Sequence, residues 1–473
     1  MAKNKFYITT AIDYINGKPH IGHAFEKVVA DVMARYKRQH GFDVFFSTGT
    51  DEHGMKIEQK AKAEGITPQE WADNIVVEFQ NFKKYFNLSY DEFIRTTDPR
   101  HEKLVQELWM RCKEKGDIYK KSYSGLYCVG CEGFVKENDL VDGKCPYHDK
   151  APDIVEEENW FFRLSNYRDS IIEKITSDEY CIYPLSRKNE ILNVLKEIED
   201  FSISRPRSKV SWGISIPDDN EQTMYVWFDA LTNYLTCVDY DLTSERFQKY
   251  WPADIHMVGK DISKFHAIFW PAMLMSMGYE LPKRLLIHGM INAEGSVKMS
   301  KSIGNVIYCE DVIEKYGTDP ARYFLIREIP LDNDGSFSWT RFEERYDNDL
   351  ANSLGNLVSR VTNIAEKNEI KFQNQELSIS IEKEIDGLEF DKALEKIWEK
   401  IYEANKYVDE SRPWEIKDDP EKLSSVINNL LNSIRSIGEA LIPFMPETSE
   451  KILKIFDGEK IIKAEPLFPK KEK

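Results

Sequence analysis

Two short motifs carry side chains that can bind phosphate: Pro19-His20-Ile21-Gly22-His23 and, far downstream, Lys298-Met299-Ser300-Lys301-Ser302. His20 and His23 are three residues apart, which places both on one face of a helix that begins there. Backbone N–H groups at a helix start favour anions, and imidazole donors there can follow the negative charge that builds on a phosphorus under attack. Gly22 leaves room for a nucleotide against the backbone. For this motif alone, an ordinary helix start is the alternative.

The second motif follows the run Glu294-Gly295-Ser296, which predicts a flexible loop after a strand. Solvated lysines on a surface loop are common, and that is the alternative for Lys298 and Lys301. As a mobile lid, the loop would bring both ammonium groups to the β- and γ-phosphates in the transition state. Both motifs in one chain, in this order, favour a catalytic ATP site made by His20, His23 and the two lysines.

A third pattern has the spacing of a metal site. Cys128-Val129-Gly130-Cys131 and Cys145-Pro146-Tyr147-His148 are separated by 13 residues. Such paired knuckles can close a tetrahedral zinc site of three thiolates and one imidazole, and four protein ligands predict a structural role. The predicted ligands are Cys128, Cys131, Cys145 and His148. Unpaired structural thiols are the alternative, and they are the prediction for the other four cysteines: Cys112, Cys181, Cys237 and Cys309.

The elements around the first motif alternate between strand and helix. Residues 6–12 predict a strand, a helix runs from the motif to Gly41, and residues 44–47 predict a buried strand ending at Asp51. This is the opening of a doubly wound parallel α/β sheet of the Rossmann type, in which ligands collect at the carboxyl ends of the strands.

The alternation resumes further along the chain. Residues 255–259 and 284–288 predict two more strands, and the helix between them starts near Ser263. Pro271 falls inside that helical pattern, which predicts a kink.

Two segments depart from this pattern. An aromatic-rich insert with the metal motif runs from about residue 118 to about 224, and from about residue 347 three apolar stripes at helical spacing predict an α-helical bundle. The predicted organisation is a first half of the Rossmann catalytic domain at 1–117, the insert at 118–224, a second half at 225–285, the lysine loop and linking region at 286–346, and the bundle at 347–473.

Composition bounds the class of protein. The chain has 473 residues, 41% of them hydrophobic, and a formal net charge of −17, with no apolar run long enough to span a membrane. Acidity argues against a nucleic-acid partner, but net charge reports on solubility more directly than on partners, so charge leaves that question open. No apolar signal segment precedes the first strand. Together these features predict a cytoplasmic protein without membrane contact.

With both phosphate motifs on such a frame, the chain resembles the class I aminoacyl-tRNA synthetases, whose two hallmark motifs these are. The match extends over nearly the whole chain and is strongest with the methionyl-tRNA synthetase family, whose members carry zinc knuckles at the Cys/His motif. The resemblance implies that L-methionine and ATP, with Mg²⁺, form methionyl-adenylate, and that methionine then passes to the 3′ end of elongator and initiator methionine tRNA. Two alternatives stay open: an enzyme for another amino acid, and a tRNA-binding relative without activity.

The resemblance also assigns residues to the two small substrates. Asp51 matches the family's carboxylate for the substrate ammonium. Nine positions match the side-chain pocket: Ile12, Tyr14, Trp227, Ala230, Leu231, Tyr234, Ile262, His266 and Trp270. Positions matching the ATP site are His20, Gly22, His23, Glu26, Gly259, Asp261, His288, Lys298 and Lys301. Ile262, His266 and Trp270 recur every four residues, so one helix would turn all three toward the same cavity. An aromatic box suits a polarizable thioether, although aromatics at this spacing are otherwise core.

Insert size separates this family from similar ones. Synthetases for leucine, isoleucine and valine need a second, hydrolytic site, because one methylene is worth only about 1–3 kcal/mol in a pocket. That site occupies a large inserted domain. The insert here has about 105 residues and carries the metal pattern, so it is too small to hold one.

The bundle carries three positions that match the family's anticodon-reading residues: Asn356, Arg360 and Trp414. Asn356 and Arg360 are four residues apart and project together from a helix, while Trp414 follows a proline at a helix break. Surface polar residues and a packing tryptophan are the alternative. An exposed aromatic can stack an unpaired base whose edges Arg and Asn bond, which implies methionine tRNA with its CAU anticodon. Because the chain stops soon after the bundle, it is predicted to be a monomer.

Overall fold

The computed structural model describes residues 4–131, 133–239, 241, 243–299, 304–458 and 460–470. Lys301, one of the predicted catalytic residues, lies outside these ranges together with Ser300 and Ser302. Within them, no helix is both long and apolar enough to cross a membrane.

Strands and helices alternate through the first quarter of the chain: β1 Lys5–Thr10, β2 Asp13–Tyr14, α1 Ile21–Gln39, β3 Asp43–Asp51, α2 Met55–Glu64, α3 Pro68–Gln80, α4 Phe82–Tyr85, β4 Glu92–Arg95 and α5 Pro99–Glu114. The next segment is mostly strand: β5 Ile118–Cys128, β6 Gly133–Val135, β7 Asp153–Phe162, α6 Arg168–Thr176, β8 Cys181–Tyr183, α7 Leu185–Leu195, β9 Phe201–Ser202, β10 Ser204–Pro206, β11 Ser215–Ile216 and β12 Asp219–Met224.

Alternation then returns: α8 Val226–Leu231, α9 Asn233–Thr236, α10 Glu245–Tyr250, β13 Ile255–Gly259, α11 Trp270–Met277, β14 Arg284–His288, β15 Ile291–Asn292, α12 Cys309–Tyr316, α13 Thr318–Glu328, β16 Gly335–Ser336 and α14 Trp339–Arg345. The remainder is helical: α15 Asn356–Lys367, α16 Glu382–Asp386, α17 Phe390–Ser411, α18 Pro420–Leu441 and α19 Pro446–Leu453.

Seven strands form one sheet in the order β2-β3-β1-β13-β14-β8, with β4 also paired to β3. Every pairing in this sheet is parallel. The chain proceeds from β1 to β3 on one side and reaches β13 on the other, so the strand order reverses between β1 and β13. In doubly wound sheets, ligands bind in the crevice at such a reversal, beyond the carboxyl ends of the strands. The predicted fold class is confirmed.

Helix α1 packs on this sheet through the apolar spacing read from the sequence. Its buried hydrophobic side chains include Phe25, Val28, Val29, Val32, Met33 and Tyr36. Lys37 and Arg38 lie in the last turn, where cations favour the helix dipole. Gly41 follows with a φ of 81°, a left-handed conformation that glycine adopts without strain. The helix and its terminator are therefore as predicted.

The insert contains two antiparallel sheets, β6-β5-β7-β9 and β10-β12-β11, together with helices α6 and α7. One strand inside the same stretch belongs elsewhere, because β8 pairs with β14 at the edge of the catalytic sheet. The chain thus leaves the sheet, returns to it at β8, and leaves again before α8.

The three pocket residues predicted on one helix occupy three kinds of turn. Ile262 ends a 3₁₀ turn, His266 lies in a π-helical segment, Phe265–Phe269, and Trp270 opens α11. Pro271 has no N–H to donate to the preceding turn, and that turn is the π-helical segment rather than α-helix. The helix predicted from about Ser263 is present and runs without a break to Met277, but it is not a regular α-helix: the interruption expected at Pro271 is the π-helical segment just before it.

Helix α13 connects the sheet to the bundle through a fully buried arginine. Arg322 pairs with Asp31 of α1, with 2.8 Å between Nη1 and Oδ2. Its guanidinium also donates to the carbonyls of Phe86, Pro443 and Phe444 at 2.8, 2.7 and 2.9 Å. One side chain therefore bonds the first catalytic helix, the loop before β4 and the end of the bundle.

Candidate active site and metal centre

His20 and His23 cap helix α1 with their own rings. Nδ1 of His20 accepts from the backbone N–H of Gly22 at 3.2 Å, and Nδ1 of His23 accepts from the backbone N–H of His20 at 3.1 Å. The ring centroids are 4.0 Å apart. Since each Nδ1 accepts, the proton of each neutral ring is on Nε2. The pair therefore presents two imidazole N–H donors at the anion-binding end of the helix.

Gly22 gives the His20 ring room in this cap. A Cβ at residue 22 would lie 3.0 Å from both Nδ1 and Cε1 of His20. The missing side chain lets the His20 ring fold back over the first turn, in addition to leaving room for a nucleotide.

Glu26 and His288 meet one turn along the helix. Oε2 of Glu26 is 3.0 Å from Nε2 of His288 at the end of β14. Burial raises the pKa of Glu26, but Lys27 and His288 lower it more, so this carboxyl lies below its usual value. Gly259 pairs with His288 across β13 and β14, and a Cβ there would lie 2.8 Å from Oδ1 of Asp261. The four predicted ATP residues after the motif are thus gathered at two adjacent strand ends.

Tyr234, His266 and Trp270 form a buried aromatic box. The Tyr234 hydroxyl is 2.8 Å from Nε2 of His266, whose Nδ1 is 3.0 Å from the carbonyl of Ile262. Because a carbonyl only accepts, Nδ1 carries the proton and Nε2 accepts from the tyrosine. Burial lowers the pKa of His266 to about 4, so the box is uncharged at neutral pH. The rings of Tyr234 and Trp270 are 5.9 Å apart.

The other predicted pocket residues border this box. The Trp227 ring stacks on Phe265 with centroids 3.8 Å apart and lies edge-on to His266 at 6.3 Å. Ala230 and Leu231 are buried in the same helix as Trp227. The rest lie nearby: Ile12 is half-buried against the same apolar cluster as Tyr234, and Tyr14 pairs with Asp51 where β2 meets β3.

A buried lysine outside the sequence motifs holds the segment 11–13. Nζ of Lys27 is 2.7 Å from Oδ1 of Asp13, and 3.3 Å from both the carbonyl of Ala11 and Oε1 of Glu26. Burial lowers the pKa of Lys27, but the two carboxylates raise it more. The signal was available, because Lys27 follows His23 by one helical turn and shares its face.

The lysine loop is only partly described. Lys298 is exposed, and Asn305 donates to its backbone carbonyl at 3.1 Å. Lys301 lies outside the described residues, so its role beside Lys298 stays a prediction.

The four predicted metal ligands converge on one point. Nδ1 of His148 is 3.8, 3.4 and 3.7 Å from the sulfurs of Cys128, Cys131 and Cys145. The sulfurs of Cys131 and Cys145 are 3.5 Å apart, and all four ligand atoms lie within 4.8 Å of one another. Zn–S and Zn–N bonds of about 2.3 and 2.0 Å put tetrahedral ligand atoms about 3.5–3.8 Å apart. The group fits a four-coordinate zinc ion.

Gly130, between the first two cysteines, makes this convergence possible. A Cβ at residue 130 would lie 2.3 Å from Cγ of His148. The imidazole therefore occupies the space that any other residue at position 130 would fill.

Gly130→Ala should weaken metal binding, because the new methyl group displaces His148 from the other ligands. We expect zinc affinity to fall by about 10–100-fold, the usual range when support for a ligand is lost. Zinc transfer to a chromogenic chelator measures it. Val129→Ala, a neighbouring change at an exposed side chain, is the matched control. Equal zinc retention by both variants would contradict this account of Gly130.

Arg360 and Trp414 meet on the surface of the bundle. Cζ of Arg360 is 5.4 Å from the Trp414 ring, and its Nη2 pairs with Asp409 at 3.0 Å. Arg412, with a φ of 43°, ends α17 and turns the chain there, and Trp414 is 47% exposed. Asn356 is exposed one turn before Arg360. An indole beside a guanidinium offers two planes for stacking unpaired bases.

Comparisons with known proteins agree over the whole chain. Two family models match it: "tRNA synthetases class I (M)" at residues 6–151 and 136–362, and "Anticodon-binding domain of tRNA ligase" at 367–473. The methionine–tRNA ligase of Caldanaerobacter subterraneus subsp. tengcongensis is 45% identical over 95% of this chain and 73% of its own length. That of Brucella suis biovar 1 is 43% identical over 96% of this chain and 92% of its own length.

Solved structures give the same result. Mycobacterium tuberculosis methionyl-tRNA synthetase in complex with methionyl-adenylate is 37% identical, with a TM-score of 0.92 over 99% of this chain and 100% of that one. The free form of the same enzyme has a TM-score of 0.84 at 34% identity, over 100% of this chain and 99% of that one. The chain belongs to the methionine–tRNA ligases, a family of class I tRNA synthetases.

Proposed function

We propose that this chain joins L-methionine to methionine tRNA in two ATP-dependent steps on the site described above. The observation that carries the proposal is the juxtaposition of two substrate regions at adjacent strand ends. The imidazole pair of α1 follows β1, and His266 and Trp270 of the uncharged aromatic box follow β13. One region suits a triphosphate and the other a thioether side chain.

In the first step, a carboxylate oxygen of methionine attacks the α-phosphorus of ATP, and pyrophosphate leaves as methionyl-adenylate forms. Asp51 holds the substrate ammonium, while Nε2–H of His20 and His23 donate to phosphate oxygens as charge develops. Lys298 and Lys301 neutralise the β- and γ-phosphates, to which Mg²⁺ bound with ATP adds further positive charge. Positioning and electrostatics supply the rate without a covalent enzyme intermediate.

In the second step, the terminal ribose hydroxyl of the tRNA attacks the methionyl carbonyl, and AMP leaves. Asn356, Arg360 and Trp414 read the CAU anticodon of elongator and initiator methionine tRNA. The active site thus supplies the chemistry and the bundle selects the tRNA.

ATP–pyrophosphate exchange with each of the twenty amino acids tests the function directly. We expect exchange with methionine to exceed that with every other amino acid. A clear preference for another amino acid would reassign the pocket. Absence of exchange with all twenty, together with tight tRNA binding, would support the non-catalytic alternative.

Trp414→Ala should separate the two steps. Base stacking on an aromatic is worth about 1–3 kcal/mol, so we expect kcat/KM for tRNA charging to fall roughly 10–100-fold while exchange keeps its rate. Tyr402→Ala is the matched control, since Tyr402 is 53% exposed on the same bundle. Equal loss of exchange and charging in Trp414→Ala would contradict the assigned division of labour.

The remaining assignments are proposals of the same kind. Zinc at the Cys/His group has a structural role in the insert, whose thiols require the reducing conditions of the cytoplasm. The chain acts there as a monomer. Its five segments are 1–117, 118–224, 225–285, 286–346 and 347–473, with the return of β8 to the catalytic sheet lying inside the second. Light scattering of the purified protein checks the oligomeric state.

A further inference from the structure

A buried cluster of polar side chains lies behind the pocket wall and has no role in the steps above. Its members are His53, His101, Asp229 and Thr236, all almost fully buried. Oδ2 of Asp229 is 2.7 Å from Nδ1 of His53, and Oδ1 is 2.8 Å from Nε2 of His101. Nδ1 of His101 is 2.8 Å from the Thr236 hydroxyl. Four side chains from three elements and a loop thus form one continuous chain of hydrogen bonds.

The protons in this chain follow from its chemistry. An ionised carboxylate only accepts, so Nδ1 of His53 and Nε2 of His101 both carry protons, one for each oxygen of Asp229. Burial raises the pKa of Asp229, but His53 and His101 lower it more, so the group lies below its usual value. Burial lowers the pKa of His53, but Asp229 raises it more. The carboxylate at the centre is therefore ionised and satisfied at both oxygens.

The cluster connects two parts of the proposed methionine pocket. His53 is two residues beyond Asp51, the proposed ammonium ligand, and Asp229 is two residues beyond Trp227 in α8. The turn between Asp51 and His53 is held on its other side by Trp212, whose Nε1 donates to the carbonyl of Glu52 at 2.6 Å. The hydrogen bond between Asp229 and His53 therefore joins this turn to α8, the helix that carries Trp227.

We propose that Asp229 is a positioning residue for the amino-acid substrate: through His53 and His101 it sets where Asp51 stands relative to Trp227. The proposal rests on the proposed function. It assigns Asp229 no contact with the reacting atoms. The expected effect is on methionine binding alone. The imidazole pair of α1 and the residues at the strand ends beyond Gly259, which are assigned to ATP, are not part of this cluster.

Asp229→Asn tests the proposal at constant side-chain size. An asparagine offers one carbonyl oxygen and an amide N–H₂, so one of the two imidazoles loses its acceptor and must turn away or change tautomer. Displacement of a positioned group by about 1 Å can cost on the order of 100-fold. We expect KM for methionine in pyrophosphate exchange to rise at least about tenfold, with KM for ATP changed by less than about twofold.

Asp254→Asn is the matched control for a structural effect. Asp254 is also a largely buried carboxylate of the catalytic sheet, bonded to the backbone N–H of Tyr7 at 2.8 Å and to Lys283 at 2.7 Å, but it precedes β13 at the opposite end of the strands. We expect its loss to lower stability and leave KM for methionine unchanged. A parallel rise of both KM values in Asp229→Asn, or an equal methionine effect in the control, would overturn the proposal.

Thr236→Val keeps the test decisive if Asp229→Asn does not fold. It removes the hydrogen bond at the outer end of the chain and so loosens the position of His101; we expect a smaller effect than in Asp229→Asn, with KM for methionine rising at least about threefold and KM for ATP unchanged. If KM for methionine is unchanged, the cluster does not position the substrate. Failure of the proposed function looks different, because the wild-type enzyme would then show no methionine-dependent exchange at all.

Discussion

Replacing His23 with glutamine should reduce the kcat of ATP–pyrophosphate exchange by about 100–1,000-fold, the usual cost of removing one preorganised donor from a developing anion. The donor that this substitution removes is Nε2–H of His23, since Nδ1 already accepts from the backbone N–H of His20 at 3.1 Å. Because the charge it meets develops in the transition state, kcat should fall far more than KM for ATP rises.

Glutamine is chosen because it preserves the helix cap. A Gln three residues after the N-cap residue can accept from the N-cap backbone N–H in an ordinary capping box, so the substitution removes the imidazole and keeps the bond to His20. His40→Gln is the matched control: the same change at the other end of α1, where Nδ1 of His40 is 2.8 Å from the carbonyl of Tyr36. Comparable activity losses in the two variants would contradict the proposed role of His23.

The regular part of the fold was predictable because its signals are local. Apolar spacing in α1 gave the helix, its buried face and its end at Gly41, and the order of strands gave the parallel sheet. The metal ligands were equally accessible, since CxxC and CxxH spacing constrains the side chains over a few residues. The convergence of Cys128, Cys131, Cys145 and His148 confirms that the group can hold a metal.

The irregular part was not predictable from periodicity. Ile262, His266 and Trp270 recur every four residues, yet they lie in a 3₁₀ turn, a π-helical segment and an α-helix. Spacing alone cannot distinguish these, because the 3₁₀ and π-helical stretches are each only about one turn long, too short to show a period of their own. The pocket was found through family resemblance, and its hydrogen bonds were visible only in the structure.

Long-range polar pairs were beyond the reach of the sequence altogether. His53 and Asp229 are 176 positions apart, and His101 and Asp229 are 128 apart. Nothing in the local sequence distinguishes these three residues from exposed polar ones. Burial creates their importance, since an unpaired charge inside a protein costs several kcal/mol, and burial is a property of the assembled fold.

The same reasoning applies to Arg322, and Arg322→Met should lower the free energy of unfolding by about 3–5 kcal/mol, the usual cost of removing one partner of a buried ion pair. A methionine side chain fills much of the volume of the arginine but has no N–H group to donate a hydrogen bond. The loss leaves Asp31 buried with less compensation, and it removes donors from the carbonyls of Phe86, Pro443 and Phe444.

Urea unfolding followed by circular dichroism measures this change, with Arg327→Met as the matched control on the same helix. Arg327 pairs with the exposed Glu395 at 2.8 Å, and such partly solvated pairs contribute about 0–1 kcal/mol. Because Arg322 bonds α1 to the end of the bundle, the Met variant should also expose the junction between catalytic domain and bundle to limited proteolysis. Equal unfolding midpoints for the two variants would show that Arg322 does not stabilise this junction.

The pH dependence of the stability lost in Arg322→Met provides an independent check. Burial raises the pKa of Asp31, but Arg322 and Arg35 lower it more, so the pKa of this carboxyl lies below its usual value. A carboxyl with a depressed folded-state pKa contributes stability above its unfolded pKa and loses it as pH falls through the folded value. The difference in the free energy of unfolding between wild type and Arg322→Met should therefore have its full size at neutral pH and shrink below about pH 4. A gap that stays constant to lower pH would show that Asp31 is not the group that Arg322 stabilises.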